Sequence, residues 1–168
     1  QNCLVLTAPS KTFNLAGLQT SNIFVPNEAL RREMEAFLKR GSANPKCNIL
    51  GYKACEIAYS SCGEWLDECI QVIDENRRVI TEFMAENFPQ IRVCELQATY
   101  LLWMDWNGLG LDYKELERIN RQEAGLFYDE GYIFGAQGEG FERWNLACPT
   151  SYVVAALKRM KEAYGKYV

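Results

Sequence analysis

The sequence has 168 residues, of which 48% are hydrophobic and 24% are charged, a balance typical of a globular protein. Its formal net charge of −4 argues against nucleic acid or an anionic membrane surface as a partner. The absence of histidine excludes Ser–His and Cys–His catalytic pairs. No segment is apolar over enough residues to predict a membrane-spanning helix. Lysine, tyrosine and carboxylate side chains therefore remain for any proton transfer.

The seven cysteines are an odd number, and no two of them form a Cys-x-x-Cys pair. Cys55, Cys62 and Cys69 recur every seven residues, which predicts that they lie near one helical face. Metal sites need tighter spacing and usually include histidine. We therefore expect buried, reduced thiols in a cytoplasmic protein, with no bound metal.

Two short strands and a helix are predicted first. The apolar run at residues 3–6 is typical of a buried strand that ends at residues 9–10. Residues 19–25 contain the second predicted strand. Asn27 is a good N-cap for a helix that ends at Gly41. The apolar face of this helix is predicted to consist of Leu30, Met34, Phe37 and Leu38.

Two further helices are predicted before residue 90. Asn44 and Pro45 begin the first of them, which ends near residues 62–63. Residues 61–64 fit a capping box and so begin a long helix that ends at residues 88–89. Helices of this length often bridge two domains, although a plain surface helix has the same pattern. The apolar face of the first of these helices is predicted to be Cys47, Leu50, Ala54, Ile57 and Ala58.

Short strands and helices are predicted after residue 90. Asp112 caps a helix that runs to Gly125, and Thr150 caps the last helix. The loop at residues 131–140 is rich in glycine but lacks the spacing of a phosphate-binding loop. The predicted strands are residues 91–93, 100–104, 126–129 and 141–146. The buried side of the last helix is predicted to be Val153, Val154, Leu157, Met160 and Tyr164.

Lys11 lies where the first predicted strand ends and the chain turns, which is where open α/β sheets usually bind ligands. Taken alone, such a lysine is most often a surface charge. Ser10-Lys11-Thr12 resembles the end of a Walker A motif, but the glycines that this motif requires are missing. The Ser-x-x-Lys motif of penicillin-binding enzymes needs serine where this chain has Ala8.

The whole stretch Thr-Ala-Pro-Ser-Lys-Thr-Phe-Asn-Leu-Ala-Gly-Leu, residues 7–18, resembles the lysine segment of fold-type I enzymes that use pyridoxal 5'-phosphate. It is most similar to the MalY/PatB-like cystathionine β-lyase branch, the C–S lyases, of the class I/II aminotransferases. The resemblance implies that Lys11 is the catalytic residue, which binds the cofactor through an imine and moves the proton on the substrate Cα. The hydroxyls of Thr7 and Ser10 are candidate ligands of the cofactor phosphate.

A second motif, Gly-Phe-Glu-Arg-Trp-Asn-Leu-Ala-Cys-Pro at residues 140–149, resembles the C-terminal signature of the same family. The resemblance implies that Arg143 binds the α-carboxylate of a small amino-acid substrate. Arg143 taken alone would be a surface arginine, but a guanidinium matches a carboxylate with two parallel hydrogen bonds. Family members commonly carry arginine after the Cys-Pro pair, where this chain has Thr150. That difference puts a local salt bridge in doubt but leaves the carboxylate site intact.

The resemblance covers the chain in order and implies an α/β fold. Residues 1–61 are expected to be a remnant of the sheet of the large cofactor-binding domain, and residues 62–168 the bridging helix and the small C-terminal domain. Family members carry a large N-terminal portion before the lysine, so we expect a C-terminal piece of a larger, homodimeric enzyme. The implied activity is carbon–sulfur β-lysis of sulfur amino acids. An aminotransferase and a catalytically inactive isolated domain are the alternatives.

Overall fold

The computed structural model describes residues 2–41 and 47–167. The chain divides between Asp67 and Glu68 into two compact units, each with its own antiparallel sheet. In the described part of the chain, no helix combines the length and the apolar character that crossing a membrane requires.

The first unit begins with a two-stranded antiparallel sheet. Strand β1, Val5–Thr7, pairs with strand β2, Asn22–Phe24, and Val5 lies opposite Phe24. Both strands were predicted, but the prediction that the first one is buried is wrong. Leu6 is 69% exposed, because β1 and β2 are the whole sheet in the described part of this unit and no second layer covers these side chains.

Helix α1, Glu28–Arg40, follows the sheet and confirms the predicted cap and end. The Asn27 side chain accepts a hydrogen bond from the Leu30 N–H at 3.2 Å, and the Gly41 N–H donates to the Phe37 carbonyl at 3.1 Å. The predicted apolar face is only partly correct, because Phe37 is 70% exposed. The half-buried members of that face are Leu30, Met34 and Leu38.

Helix α2, Ile49–Ser61, is capped by Asn48, whose side chain accepts from the Gly51 N–H at 2.7 Å. The predicted start at Asn44 and Pro45 lies outside the described residues. The predicted apolar face is only partly correct: Ala58 is buried as predicted, but Leu50 and Ile57 are exposed, and the other buried positions are Gly51 and Cys55. The reason is a close approach of the backbone: a Cβ added to Gly51 would stand 2.7 Å from the Leu18 carbonyl oxygen, so small residues must face this contact.

Helix α3, Gly63–Asn87, begins in the first unit, continues into the second and ends where it was predicted to end. The predicted capping box is wrong. Ser61 is the last residue of α2, and its hydroxyl lies 3.2 Å from that of Ser60. The carbonyl of Cys62 instead accepts the hydrogen bond from the Leu66 N–H, at 3.1 Å.

The cysteine predictions are corrected in two respects. Cys55 lies in α2 and Cys69 lies in α3, so the sevenfold spacing does not place them on one continuous helix. All seven cysteines are free, but Cys55 alone is buried, and Cys3 and Cys47 are exposed.

The second unit has a four-stranded antiparallel sheet in the order β3-β4-β6-β5. Its strands are β3, Arg92–Val93, β4, Leu101–Asp105, β5, Asp129–Glu130, and β6, Phe141–Asn145. The four strands were predicted, although β5 begins at the last residue of its predicted range. The inner position of β4 agrees with its apolar sequence.

Two helices complete the second unit. Helix α4, Tyr113–Arg118, is capped by Asp112 as predicted and continues as a π-helical turn, Ile119–Glu123. Helix α5, Thr150–Tyr164, contains Thr150 as its first helical residue, so the predicted cap is wrong. Its buried residues include the predicted ones except Val154, which is 54% exposed.

The two faces of the second sheet differ. Side chains alternate along a strand, so Leu102 and Met104 of β4 and Trp144 of β6 lie on the face that joins the core. This core also takes buried side chains from α3 and α5. Asn76 of α3 donates to the carbonyls of Leu146 and Cys148, at 2.9 and 2.8 Å, and so fixes the chain that follows β6. The opposite face carries the half-exposed side chains, Arg143 among them.

Candidate active site

Lys11 lies on a single helical turn that follows β1. The Pro9 carbonyl accepts a hydrogen bond from the Phe13 N–H at 2.9 Å, and the Ser10 carbonyl accepts one from the Leu15 N–H at 3.0 Å. Proline begins such a turn readily because its φ is already fixed. Asn14, with φ +54°, ends the turn in a left-handed conformation that asparagine tolerates. Pro9 is buried and Lys11 is exposed, so the turn presents the lysine amine outward.

Phe13 holds this turn against the helices of the first unit. Its half-buried ring packs edge-on against Tyr59, with centroids 5.5 Å apart, and is stacked near Trp65 at 6.3 Å. Aromatic pairs of this kind contribute about 0.5–1.5 kcal/mol each beyond the area that they bury. Phe13 therefore fixes the position of Lys11, two residues before it.

Replacing Phe13 with alanine is expected to loosen the turn by about 2 kcal/mol, because both aromatic contacts are lost. Hydrogen–deuterium exchange should then be about 30-fold faster at the amides of Phe13 and Leu15. Phe37→Ala is the matched control, since the Phe37 ring is 70% exposed. Equal exchange at these amides in both variants would contradict the role assigned to Phe13.

The other two residues of the predicted cofactor site lie near Lys11 in the chain but not in one cavity. Thr7 is the last residue of β1 and is exposed, and Ser10 is half-buried in the turn. Thr7 lines a groove between β2 and α2, and neither Ser10 nor Lys11 belongs to the lining of that groove. The first unit thus offers an amine and two hydroxyls within five residues of sequence, on a strand end and the turn after it.

Arg143 lies in β6 and belongs to the second unit. Its side chain is 30% exposed. The Asp129 Oδ2 accepts hydrogen bonds from both Arg143 Nε, at 3.0 Å, and Arg143 Nη2, at 2.6 Å. The guanidinium carbon also lies 4.6 Å from the centre of the Phe134 ring. The predicted carboxylate-binding arginine is therefore already held by one internal carboxylate and one aromatic ring.

Three aromatic side chains lie next to Arg143 on the half-exposed face of the sheet. Trp103 of β4 lies opposite Arg143 in the strand register. The Trp103 ring stacks on Phe141, with centroids 5.5 Å apart, and meets Phe134 edge-on at 5.8 Å. The Arg143 guanidinium is thus hydrogen-bonded to Asp129 and lies over the Phe134 ring, with Trp103 as its neighbour on the adjacent strand.

Sequence reasoning missed Asp129 and Phe134. Asp129 was within a predicted strand, but nothing in the sequence indicated that this strand pairs with β6 so that Asp129 faces Arg143. Phe134 was assigned to the glycine-rich loop, and the pattern gave no direction for its ring. Knowledge of the β5–β6 register would have found the acidic partner.

A buried carboxyl group lies on the other face of the same strand. Glu142 is 1% exposed, and its Oε1 accepts a hydrogen bond from Asn120 Nδ2 at 3.2 Å. Burial, together with the nearby carboxylate of Glu130, raises the pKa of Glu142 to about 8. Glu130 itself is paired with Arg121, at 2.6 Å. The alternation of β6 therefore separates a half-exposed arginine from a buried acid.

Comparison with known proteins identifies the family. The sequence model of the family described as "Aminotransferase class I and II" matches residues 1–160. The chain is 36% identical to cystathionine β-lyase PatB of Bacillus subtilis over 156 residues, which are 93% of this chain and 40% of PatB. It is 29% identical to the protein MalY of Escherichia coli over 147 residues, 88% of this chain and 38% of MalY.

Among solved structures, cystalysin from Treponema denticola, which contains a pyridoxal 5'-phosphate cofactor, has a TM-score of 0.90 and 44% identity to this chain. The match covers 97% of this chain and 41% of cystalysin. The chain belongs to the class I and II aminotransferase family, and the predicted family and α/β fold are confirmed. It spans about two fifths of the length of these relatives.

Proposed function

We propose that these residues belong to a pyridoxal-phosphate-dependent carbon–sulfur β-lyase that acts on sulfur amino acids. The observation that carries the proposal is the exposed Lys11 on its own turn, in a chain with 44% identity to a structure that contains this cofactor. The name of the relative PatB, a cystathionine β-lyase, supports the choice of reaction. The net reaction takes cystathionine and water to homocysteine, pyruvate and ammonia.

The donor groups of the first unit fit this cofactor. The exposed primary amine of Lys11 can condense with an aldehyde, and the hydroxyls of Thr7 and Ser10 can donate hydrogen bonds to a phosphate. When bound, pyridoxal phosphate delocalises the electron pair that is left when a bond to the substrate Cα breaks. We assign Lys11, Ser10 and Thr7 to cofactor binding on these grounds.

Lys11 is also the proposed proton carrier. Once its amine is free, the neutral Nζ can accept the proton from the substrate Cα, which is the step that precedes loss of the sulfur substituent. The turn closed by the Phe13 N–H and the Pro9 carbonyl keeps the backbone of Lys11 fixed while its side chain moves. The sulfur substituent would then leave as a thiolate with the electron pair of the Cβ–S bond and take up a proton to become the thiol.

Arg143 is the proposed anchor for the substrate. Its guanidinium would bind the α-carboxylate and so fix the orientation of the bond that breaks at Cα. We further propose that residues 1–61 belong to the cofactor-binding domain and residues 62–168 to the bridging helix and small domain. A cytoplasmic homodimer is proposed for the full-length protein. The exposed apolar side chains of the first unit, such as Leu6 and Phe24, support an association of this kind.

An aminotransferase is the second candidate, because the family description names that activity and both reactions begin with loss of the Cα proton. The two are separated by incubating the full-length natural protein with cystathionine in the absence of a keto-acid acceptor. A lyase should release pyruvate and a free thiol in equal amounts. Keto acid that forms only after an acceptor is added would identify an aminotransferase and refute the lyase.

The cofactor assignment has its own test. Incubation with pyridoxal phosphate followed by borohydride should attach the cofactor to Lys11, which peptide mass spectrometry can locate. Lys53 is the internal control, because it is exposed in the same unit but paired with Glu56 at 2.9 Å. Labelling spread equally over Lys11 and Lys53 would contradict a prepared site at Lys11.

A further inference from the structure

We propose that Asp129 is a positioning residue for Arg143, which it holds so that one edge of the guanidinium faces the substrate α-carboxylate. The inference rests on the proposed function of Arg143 and adds a residue that neither the motif nor the comparisons assign. It also predicts how the carboxylate approaches, namely at the end of the arginine side chain and not along its side.

The hydrogen-bond geometry determines which edge stays open. A guanidinium has five N–H donors arranged in a plane. Asp129 Oδ2 takes one donor from Nε and one from Nη2, which together form the side edge of the group. Within residues 2–41 and 47–167, no other carboxylate or carbonyl accepts from Arg143. One hydrogen of Nη1 and the second hydrogen of Nη2 therefore form an end edge that Asp129 leaves open, and this edge can bind a carboxylate bidentately.

The strand register makes this arrangement stable. Asp129 and Arg143 are directly opposite each other in the β5–β6 pair, so their side chains leave the sheet on the same face. The Arg143 Cζ lies over the Phe134 ring, 4.6 Å from its centre, and this contact limits rotation about the last bonds of the side chain. Ordering a long side chain during binding costs about 0.5–1.5 kcal/mol. Because Asp129 and Phe134 already order the Arg143 side chain in the absence of substrate, binding does not have to supply this free energy.

A competing effect has the opposite sign and makes the proposal testable. The charge of Asp129 partly neutralises Arg143, so removing it strengthens the local positive potential for an incoming carboxylate. If neutralisation were the main effect, Asp129→Ala would tighten carboxylate binding. If positioning is the main effect, the same change weakens it. Asp129→Asn separates the two effects, because its amide oxygen can still accept from Nε and Nη2 without the charge.

The experiment uses the full-length natural protein with its cofactor and compares the KM for cystathionine with the dissociation constants of L-alanine and L-alaninamide. Asp129→Ala should raise the KM and the L-alanine dissociation constant about 10-fold, with kcat nearly unchanged, as for loss of uniform binding. L-Alaninamide, which has no carboxylate, should bind equally well to both proteins. Asp129→Asn should restore most of the loss. Asp74→Asn is the matched control, since Asp74 pairs with Arg77 on the exposed side of α3.

Arg143→Ala distinguishes failure of this inference from failure of the proposed site. If Arg143→Ala raises the KM and Asp129→Ala has no further effect in that background, the two residues act together as proposed. If Arg143→Ala raises the KM but Asp129→Ala leaves it unchanged or lowers it, the positioning role is refuted and the carboxylate site stands. If Arg143→Ala leaves the KM unchanged, both assignments are refuted.

Discussion

Replacing Lys11 with alanine is expected to lower kcat/KM for C–S cleavage by about 10³-fold, within the range for loss of a positioned acid–base group. The physical reason is that one nitrogen has two tasks in the proposed reaction. In that proposed reaction the Lys11 Nζ would both bind the cofactor and accept the proton from the substrate Cα. Pyruvate release from cystathionine, measured on the full-length natural protein, is the direct assay.

Two controls make this result specific. Lys53→Ala removes another exposed amine from the first unit, and it should leave kcat/KM unchanged. A small primary amine added to the buffer should restore part of the activity of Lys11→Ala, because it can accept the proton in place of Nζ. A Lys11→Ala protein with undiminished pyruvate release would show that the catalytic amine lies elsewhere.

Features that depend on a few neighbouring residues could be predicted from the sequence. Asn27 and Asp112 cap their helices through side-chain oxygens that accept from N–H groups only two or three residues away. The strand at residues 141–146 was also predicted correctly, and in β6 the sheet buries every second residue. The turn that carries Lys11 is local in the same sense, because its hydrogen bonds span four or five residues.

Features that depend on distant backbone could not be predicted. The buried face of α2 follows from the approach of Gly51 to Leu18. A periodicity that weights large apolar residues instead includes Leu50 and Ile57, which are exposed. The partner of Arg143 depends on the β5–β6 register, in which residues 14 positions apart in sequence become neighbours. A hydrophobicity pattern records neither the approach of Gly51 to Leu18 nor the register of β5 and β6.

Glu142 is the clearest case of a residue whose properties come only from packing. Its carboxyl lies inside the core of the second unit, where Asn120 Nδ2 is the one group within the described residues that hydrogen-bonds to it. Tyr164 in turn donates to Asn120 Oδ1 at 2.8 Å. Burial removes the solvation that favours the charged form of Glu142, which is the main reason for its high pKa. The charged groups that act on the Glu142 carboxyl are Glu130 and Glu117, which raise its pKa, and Arg121, which lowers it.

This pKa makes the stability of the second unit depend on pH. The carboxyl of Glu142 has an ordinary pKa of 4.5, and in the folded protein the pKa is about 8. Between these values the folded chain keeps a proton that the unfolded chain has released, so stability falls as the pH rises. The full contribution is present below about pH 4.5 and is lost by about pH 8, a change of about 5 kcal/mol at 1.36 kcal/mol for each pH unit.

Glu142→Gln is therefore expected to remove this pH dependence. Glutamine keeps the oxygen that accepts from Asn120 and cannot ionise, so the variant should nearly match the wild type near pH 5. Near pH 9 its unfolding midpoint should be about 10–20 °C higher, at about 2–4 °C for each kcal/mol in a chain of this length. The measurement is the thermal unfolding midpoint at pH 5, 7 and 9. Glu139→Gln is the matched control, since Glu139 is exposed three residues earlier in the chain and its loss should leave the profile unchanged. Parallel profiles for wild type and Glu142→Gln from pH 5 to 9 would contradict the raised pKa. They would mean that Glu142 is ionised in the folded protein at pH 5 as well as at pH 9, and that its carboxyl is exposed to water in solution.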